Sequence, residues 1–97
     1  MNAVKRVEIV VGSRHARAVI ELLSDVGVEG WTVLKGASGA GNRGVQFADE
    51  PTVGGSNTWI LTACEEATFD ALRERLRELL KRVGGVCLVS EAMWLRH

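Results

Sequence analysis

Few side chains of this 97-residue sequence are spaced for covalent chemistry. Ser13 and His15 come closest to a nucleophile with a base, but this spacing is more typical of a helix cap followed by an exposed histidine. No G-x-S-x-G turn occurs, and no carboxylate pair is arranged for acid–base work. Cys64 and Cys87 have neither a C-x-x-C spacing nor a nearby histidine to complete a zinc set. We therefore predict neither an enzyme nor a metal site.

The strongest functional signal is a glycine-rich segment, residues 36–56, which holds six glycines and the only proline. Its 21 residues lack periodicity, whereas most connections in compact domains have about 4–6. Its small residues allow backbone N–H groups to approach a ligand, and the cations Lys35 and Arg43 flank the first glycines. This composition suits an anion or phosphate. The Walker spacing is missing, and a flexible linker is the alternative interpretation.

Hydrophobic periodicity predicts the elements that must position this segment. Strands are predicted at 7–11, 31–34, 58–64 and 86–89, with 92–95 as a continuation or a short fifth strand, and helices at 14–26 and 68–83. Ser13 and Thr68 are the predicted helix caps. Gly27 is the predicted left-handed end of the first helix, and the Gly84–Gly85 pair ends the second. The order favours a single α+β domain, a ferredoxin-like βαββαβ sandwich with a long loop between strands 2 and 3.

The usual strand order of this sandwich, 4-1-3-2, has two consequences. Strands 3 and 4 flank strand 1, so Cys64 and Cys87 would lie about twice 4.8 Å apart, beyond the roughly 7 Å limit for a disulfide. The open face of the sheet should be polar if it met water, yet strands 3 and 4 carry apolar residues on both of their faces. On strand 3, Trp59 and Leu61 lie on the face opposite to Ile60. An apolar open face predicts burial against another subunit.

Charge and composition exclude further classes of function. Twelve basic residues balance twelve acidic ones, so no global attraction to nucleic acid or anionic lipid exists. The basic row of Arg73, Arg77 and Lys81 is interpreted as the solvated face of the second helix, and the first strand has no aromatic residue to stack a base. With no apolar run of about 20 residues and no secretory h-region, we expect a cytoplasmic protein.

The sequence resembles the PII signal-transduction family in three places. Residues 25–33, D-V-G-V-E-G-W-T-V, followed by Lys35-Gly36, Gly39, Gly41 and Arg43, are similar to the segment that leads into the family's long T-loop. Residues 84–89, G-G-V-C-L-V, stand in place of its glycine-rich B-loop, and residues 94–97, W-L-R-H, end the match. The short B-loop and C-terminus are most similar to the carboxysome-associated PII-like branch, which is linked to inorganic-carbon uptake.

This resemblance implies a homotrimer that binds adenine nucleotides, ADP or AMP and less readily ATP, in clefts between subunits. It also implies bicarbonate as a second ligand, held by Arg43 and the amide of Gly41, and a protein partner such as a membrane transporter that meets the T-loop. No resident cofactor is implied. The implied nucleotide-binding residues are Gly30, Thr32, Lys35, Gly36, Gly39, Gly41, Arg43, Gly84, Gly85, Arg96 and His97.

The sequence departs from the family in ways that change these expectations. It has no tyrosine, so uridylylation of a T-loop tyrosine is excluded. The B-loop lysine that reaches the outer phosphates is missing, as is the glutamine that helps to bind 2-oxoglutarate. An ACT-like module, which binds an amino acid at a glycine-containing turn after the first strand, is the alternative, with Gly12 at that turn.

Overall fold

The computed structural model describes residues 1–41, 44–46 and 56–97, with only the backbone at 39–41 and 44–46. The strands are β1 (Asn2–Gly12), β2 (Thr32–Ala37), β3 (Gly39–Gly41), β4 (Gly44–Gln46), β5 (Asn57–Cys64) and β6 (Val86–Trp94). A 3₁₀ turn (Ser13–His15) leads into helix α1 (Ala16–Asp25), and helix α2 is Glu66–Val83.

Four of these strands form one antiparallel sheet in the order β2-β5-β1-β6. If only these four strands are numbered along the chain, the order from β6 to β2 is 4-1-3-2, as predicted. The ferredoxin-like sandwich is therefore confirmed. The short strands β3 and β4 form a separate hairpin inside the long connection between β2 and β5, with Gly41 opposite Gly44. Sequence periodicity did not predict this hairpin, because three-residue, glycine-rich strands carry no alternation.

The core lies between the sheet and the two helices. On β1 the alternating residues Val7, Ile9 and Val11 are at most 1% exposed, as period-two alternation predicts for a half-buried strand. The other buried residues of this core are Val19, Leu22, Leu23, Val28, Ile60, Cys64, Phe69, Leu72, Leu76 and Leu79. Both helices therefore bury the apolar stripe that their sequence shows.

Strand β1 is longer than predicted, because it begins at Asn2. β6 continues without a break to Trp94, so residues 92–94 are its continuation and not a fifth strand. The charged residues Lys5 and Glu91 interrupt the apolar alternation, yet they lie opposite each other in the ladder and their side chains form an ion pair. Cross-strand pairs of opposite charge stabilise a sheet, so the ladder extends through residues that a hydrophobic pattern does not detect.

The two predicted helix caps are wrong, and the two predicted helix ends are confirmed. His15 is the N-cap residue of α1, because Ser13 lies in the preceding 3₁₀ turn, where its hydroxyl contacts Ser56 and Thr58. The N-cap residue of α2 is Glu65 and its first turn contains Glu66, an acidic start that the helix dipole favours; Thr68 is already helical. Gly27 (φ +91°) and Gly84 (φ +80°) end the helices in the left-handed conformation.

The open face of the sheet, away from the helices, is mainly apolar, as predicted, but β1 also places the ion pair of Arg6 with Glu8 on it. Alternation places Leu34 of β2, Trp59 of β5, Val10 of β1 and Val86 and Leu88 of β6 on this open face. In one protomer Leu88 is 68% exposed, Val86 59% and Leu34 58%. Large apolar side chains exposed on both edge strands form a surface that favours contact with other subunits.

Candidate ligand-binding site

The sequence-predicted site residues fall into three groups in the fold. Gly30, Thr32, Lys35 and Gly36 lie on or beside the edge strand β2, and the backbone of Gly39 and Gly41 continues from it in β3. Gly84 and Gly85 form the turn between α2 and β6, at the opposite edge of the sheet. Arg96 and His97 follow the far end of β6. Arg43 lies outside the described residues.

The β2 group is built around a β-bulge. The pairing register shifts between Lys35, which faces Thr58, and Ala37, which faces Asn57. Gly36 occupies the extra position with φ +78°, a conformation that glycine adopts without a steric cost. Lys35 and Gly36 are both exposed. The bulge lies just before the last pair of β2, Ala37 with Asn57, and the exposed lysine beside it can meet an anion.

The turn before β6 combines two glycines with different requirements. Gly84 ends α2 and its N–H donates to the Leu80 carbonyl at 2.7 Å. At Gly85 a Cβ would lie 2.7 Å from the Val10 carbonyl oxygen and 2.9 Å from Leu80 Cδ2. Because packing against β1 already excludes any side chain there, contacts within the chain are sufficient to require glycine at this position.

Gly30 and Thr32 differ from this pair. A Cβ at Gly30 would meet nothing within 4 Å, and the Gly30 carbonyl accepts a hydrogen bond from Thr62 Oγ1 at 2.5 Å. Thr32, the first residue of β2, is exposed at the sheet edge. The side of Gly30 where a side chain would stand is therefore open, and a flat ligand can approach its backbone there.

The C-terminal group is exposed and contains one ordered contact. The Arg96 guanidinium lies 5.1 Å from the centre of the Trp94 ring, within the range of a cation–π interaction. Trp94 is 41% exposed. This stacking holds the guanidinium at the end of β6 while its N–H donors stay accessible.

One protomer does not bring the three groups together. β2 and β6 are the two edges of the sheet, so three strand spacings, about 14 Å, separate the β2 group from the Gly84–Gly85 turn. Lys35 is level with Val11, whereas Trp94 is level with Asn2. At about 3.3 Å per residue the C-terminal group lies about 30 Å further along the sheet. A single ligand can meet the β2 group and Arg96 only if they belong to different copies.

Sequence reasoning missed a hydroxyl cluster beside the β2 group. Ser13 Oγ lies 3.1 Å from Ser56 Oγ and 2.9 Å from Thr58 Oγ1. The Ser13 N–H also donates to the Ser56 carbonyl at 3.0 Å. The signal was present in the sequence, since serines and a threonine stand where β1 ends and β5 begins, and antiparallel pairing brings those ends together.

The two thiols lie away from these groups. Cys64 is buried on β5 and Cys87 is partly buried on β6, and neither is in a disulfide. Burial raises the pKa of both thiols, which keeps them protonated and unreactive at neutral pH. In the described parts of the chain, no three potential metal ligands among His, Cys, Asp and Glu lie together. No described helix is long and apolar enough to cross a membrane.

Comparison with known proteins identifies the family. The model of the family described as nitrogen regulatory protein P-II matches residues 4–97. CPII, a nitrogen regulatory PII-like protein from Thiomonas intermedia K12, has been solved bound to ADP, AMP and bicarbonate. That structure is 24% identical with a TM-score of 0.80, over 94% of this chain and 93% of that one.

Two further solved structures have the same fold. CPII bound to ADP and bicarbonate is 25% identical, with a TM-score of 0.80 over 94% of this chain and 87% of that one. A PII-like signaling protein from Thermus thermophilus is 24% identical, with a TM-score of 0.75 over 93% and 87%. Comparison with curated protein sequences gave no match. The chain belongs to the nitrogen regulatory protein P-II family, and it is a PII-like signalling protein.

Proposed function

We propose that this protein is a non-enzymatic sensor that binds ADP or AMP together with bicarbonate between the subunits of a homotrimer. The Thiomonas protein, which shares the fold, was solved with these three ligands. ATP is the weaker candidate, because the turn at Gly84–Gly85 has no lysine to reach an outer phosphate. Bicarbonate would be held by Arg43 and the amide of Gly41.

The observation that carries this proposal is the separation of the three groups in one protomer. Edge strand β2 carries Lys35 and the bulge at Gly36, and the opposite edge carries the Gly84–Gly85 turn. In a ring of identical subunits, unlike edges meet at each interface. The β2 edge of one copy then faces the β6 edge of the next, and the β2 group of one copy would share its ligand with the C-terminal group of its neighbour.

The apolar open face supports the same assembly. Leu34, Val86 and Leu88 are each more than half exposed in one protomer, and their burial supplies a driving force for association that does not depend on ligand. Three sheets that meet through these faces would leave both edges of each sheet at a subunit boundary. The apolar face would then hold the subunits together while the polar edges bind the ligand.

Signalling would follow from the long connection between β2 and β5. Its two ends leave the sheet beside Lys35 and Ser56, so a ligand at the β2 edge would contact the base of this connection. A ligand that binds one arrangement of the segment more tightly shifts the population toward it. The segment would then meet or release a protein partner, such as an inorganic-carbon transporter in a carboxysome-containing cell.

Mixed oligomers test the shared site. Lys35→Ala and Arg96→Ala change residues that are far apart in one protomer, so each variant alone should bind ADP weakly. When the two variants are refolded together in equal amounts, about one quarter of interfaces should combine an intact β2 edge with an intact C-terminal group. Calorimetry should show tight ADP binding returning at about that stoichiometry.

The control is each variant refolded alone and then mixed without exchange of subunits, which should recover no binding. If the co-refolded oligomer is as weak as its components, the shared site is wrong. If either variant alone binds ADP like the wild type, that residue does not belong to the site.

A further inference from the structure

Ser13 occupies a position that its expected capping role does not explain. It is half-buried in the 3₁₀ turn after β1, and no cap hydrogen bond from its side chain supports α1. Its hydroxyl instead contacts both Ser56 Oγ and Thr58 Oγ1, and its N–H donates to the Ser56 carbonyl. These three contacts all hold the chain where it re-enters the sheet after the long connection.

The contacts reach the β2 group through one row of the sheet. Thr58 is 1% exposed and lies between Val11 of β1 and Lys35 of β2 in the ladder. Its hydroxyl is therefore fixed from one side by Ser13, and its backbone pairs with Lys35 on the other. Gly36, the bulged residue, follows directly. A shift of Thr58 would move the lysine and the bulge with it.

We propose that Ser13 is a positioning residue for the ligand-binding edge. Its hydroxyl ties the returning end of the long connection, at Ser56 and Thr58, to the turn that begins α1, and so fixes where Lys35 and Gly36 stand. The proposal rests on the proposed nucleotide function, since it assigns Ser13 an indirect part in the same site. Ser13 itself does not touch the ligand.

Ser13→Ala tests this role, with Ser13→Thr as the variant that keeps the hydroxyl. A lost hydrogen bond is worth about 0.5–1.5 kcal/mol, which predicts ADP binding that is about 2- to 10-fold weaker in Ser13→Ala. Hydrogen exchange should accelerate at the amides of residues 35–37 and 57–58 and stay unchanged in α2. Ser13→Thr should restore both the affinity and the exchange rates. Ser24→Ala, at an exposed serine on α1, is the matched control and should change neither.

Two results would overturn the proposal. Wild-type affinity and wild-type exchange in Ser13→Ala would show that the cluster positions nothing. Faster exchange spread evenly over all strands would show a general loss of stability instead of a local one. If Ser13→Ala does not fold, Ser56→Ala removes one contact of the cluster and keeps the backbone hydrogen bond, and the same outcomes apply to it. Absence of ADP binding in the wild type would contradict the proposed function alone, because exchange at the β2 edge still tests Ser13.

Discussion

Replacing Leu88 by aspartate should dissociate the protein into folded monomers. Leu88 lies on the open face of edge strand β6 and is 68% exposed in one protomer. Full burial of a leucine side chain is worth about 1.5–3 kcal/mol, so covering the exposed two thirds contributes about 1–2 kcal/mol per subunit. Three subunits then lose about 3–6 kcal/mol of association free energy, before the cost of burying an unpaired carboxylate is added.

Met93→Asp is the matched control for this change. Met93 lies on the same strand and is 59% exposed, but alternation places it on the other face of the sheet. Light scattering should give about three times 10.5 kDa for the wild type and Met93→Asp, and one times that mass for Leu88→Asp at micromolar concentration. Circular dichroism should show all three folded. The assignment of the open face to the interface would be refuted if Leu88→Asp kept the mass of the wild-type oligomer while Met93→Asp dissociated.

Three further predictions concern stability and the loop. Gly85→Ala should lower the free energy of unfolding by about 1–3 kcal/mol, because its Cβ would overlap β1. Gly30→Ala should lower it by less than about 0.5 kcal/mol. Urea titration of both variants measures the two losses, and equal losses would contradict the prediction. The unfolded Cys64 thiol loses its proton near its usual pKa of 9.0, whereas burial keeps the folded thiol protonated, so stability should fall as the pH rises above about 9. Cys64→Val should reduce that alkaline loss in denaturant melts, and an unchanged profile would exclude this thiol as its cause. Arg43→Ala should leave the melting temperature of the ligand-free protein unchanged. It should weaken nucleotide or bicarbonate binding about 10- to 150-fold, because a charge-assisted contact is lost. An unchanged affinity would show that Arg43 does not belong to the site.

Local patterns were enough to predict the order of elements. The alternation of Val7, Ile9 and Val11 predicts β1, because one face of the strand is buried. Gly27 and Gly84 predict helix ends because glycine adopts positive φ without a steric cost, and both residues do so here. The start of β1 was missed because it depends on the pairing of Lys5 with Glu91 across the sheet. That contact joins residues distant in sequence, and neither residue alone favours a strand.

The arrangement of the site could not be predicted in the same way. Family motifs name Lys35, Gly84 and Arg96, but only the strand order shows that they lie at two edges and one end of the sheet. Ser13 was predicted to cap α1 because serine before an apolar stripe commonly does so. Its contacts with Ser56 and Thr58 depend on how the long connection returns to the sheet, which is a tertiary feature.

The most direct test of the central claim is a calorimetric titration of the purified protein with ADP and AMP, in the presence and absence of bicarbonate. ATP and amino acids are titrated as comparison ligands. We predict saturable binding of ADP or AMP at up to one nucleotide per chain, tighter when bicarbonate is present, and by linkage a bicarbonate affinity raised by the same factor when nucleotide is bound. A folded oligomer that binds an amino acid and no adenine nucleotide would contradict the claim and favour an ACT-like regulatory module instead.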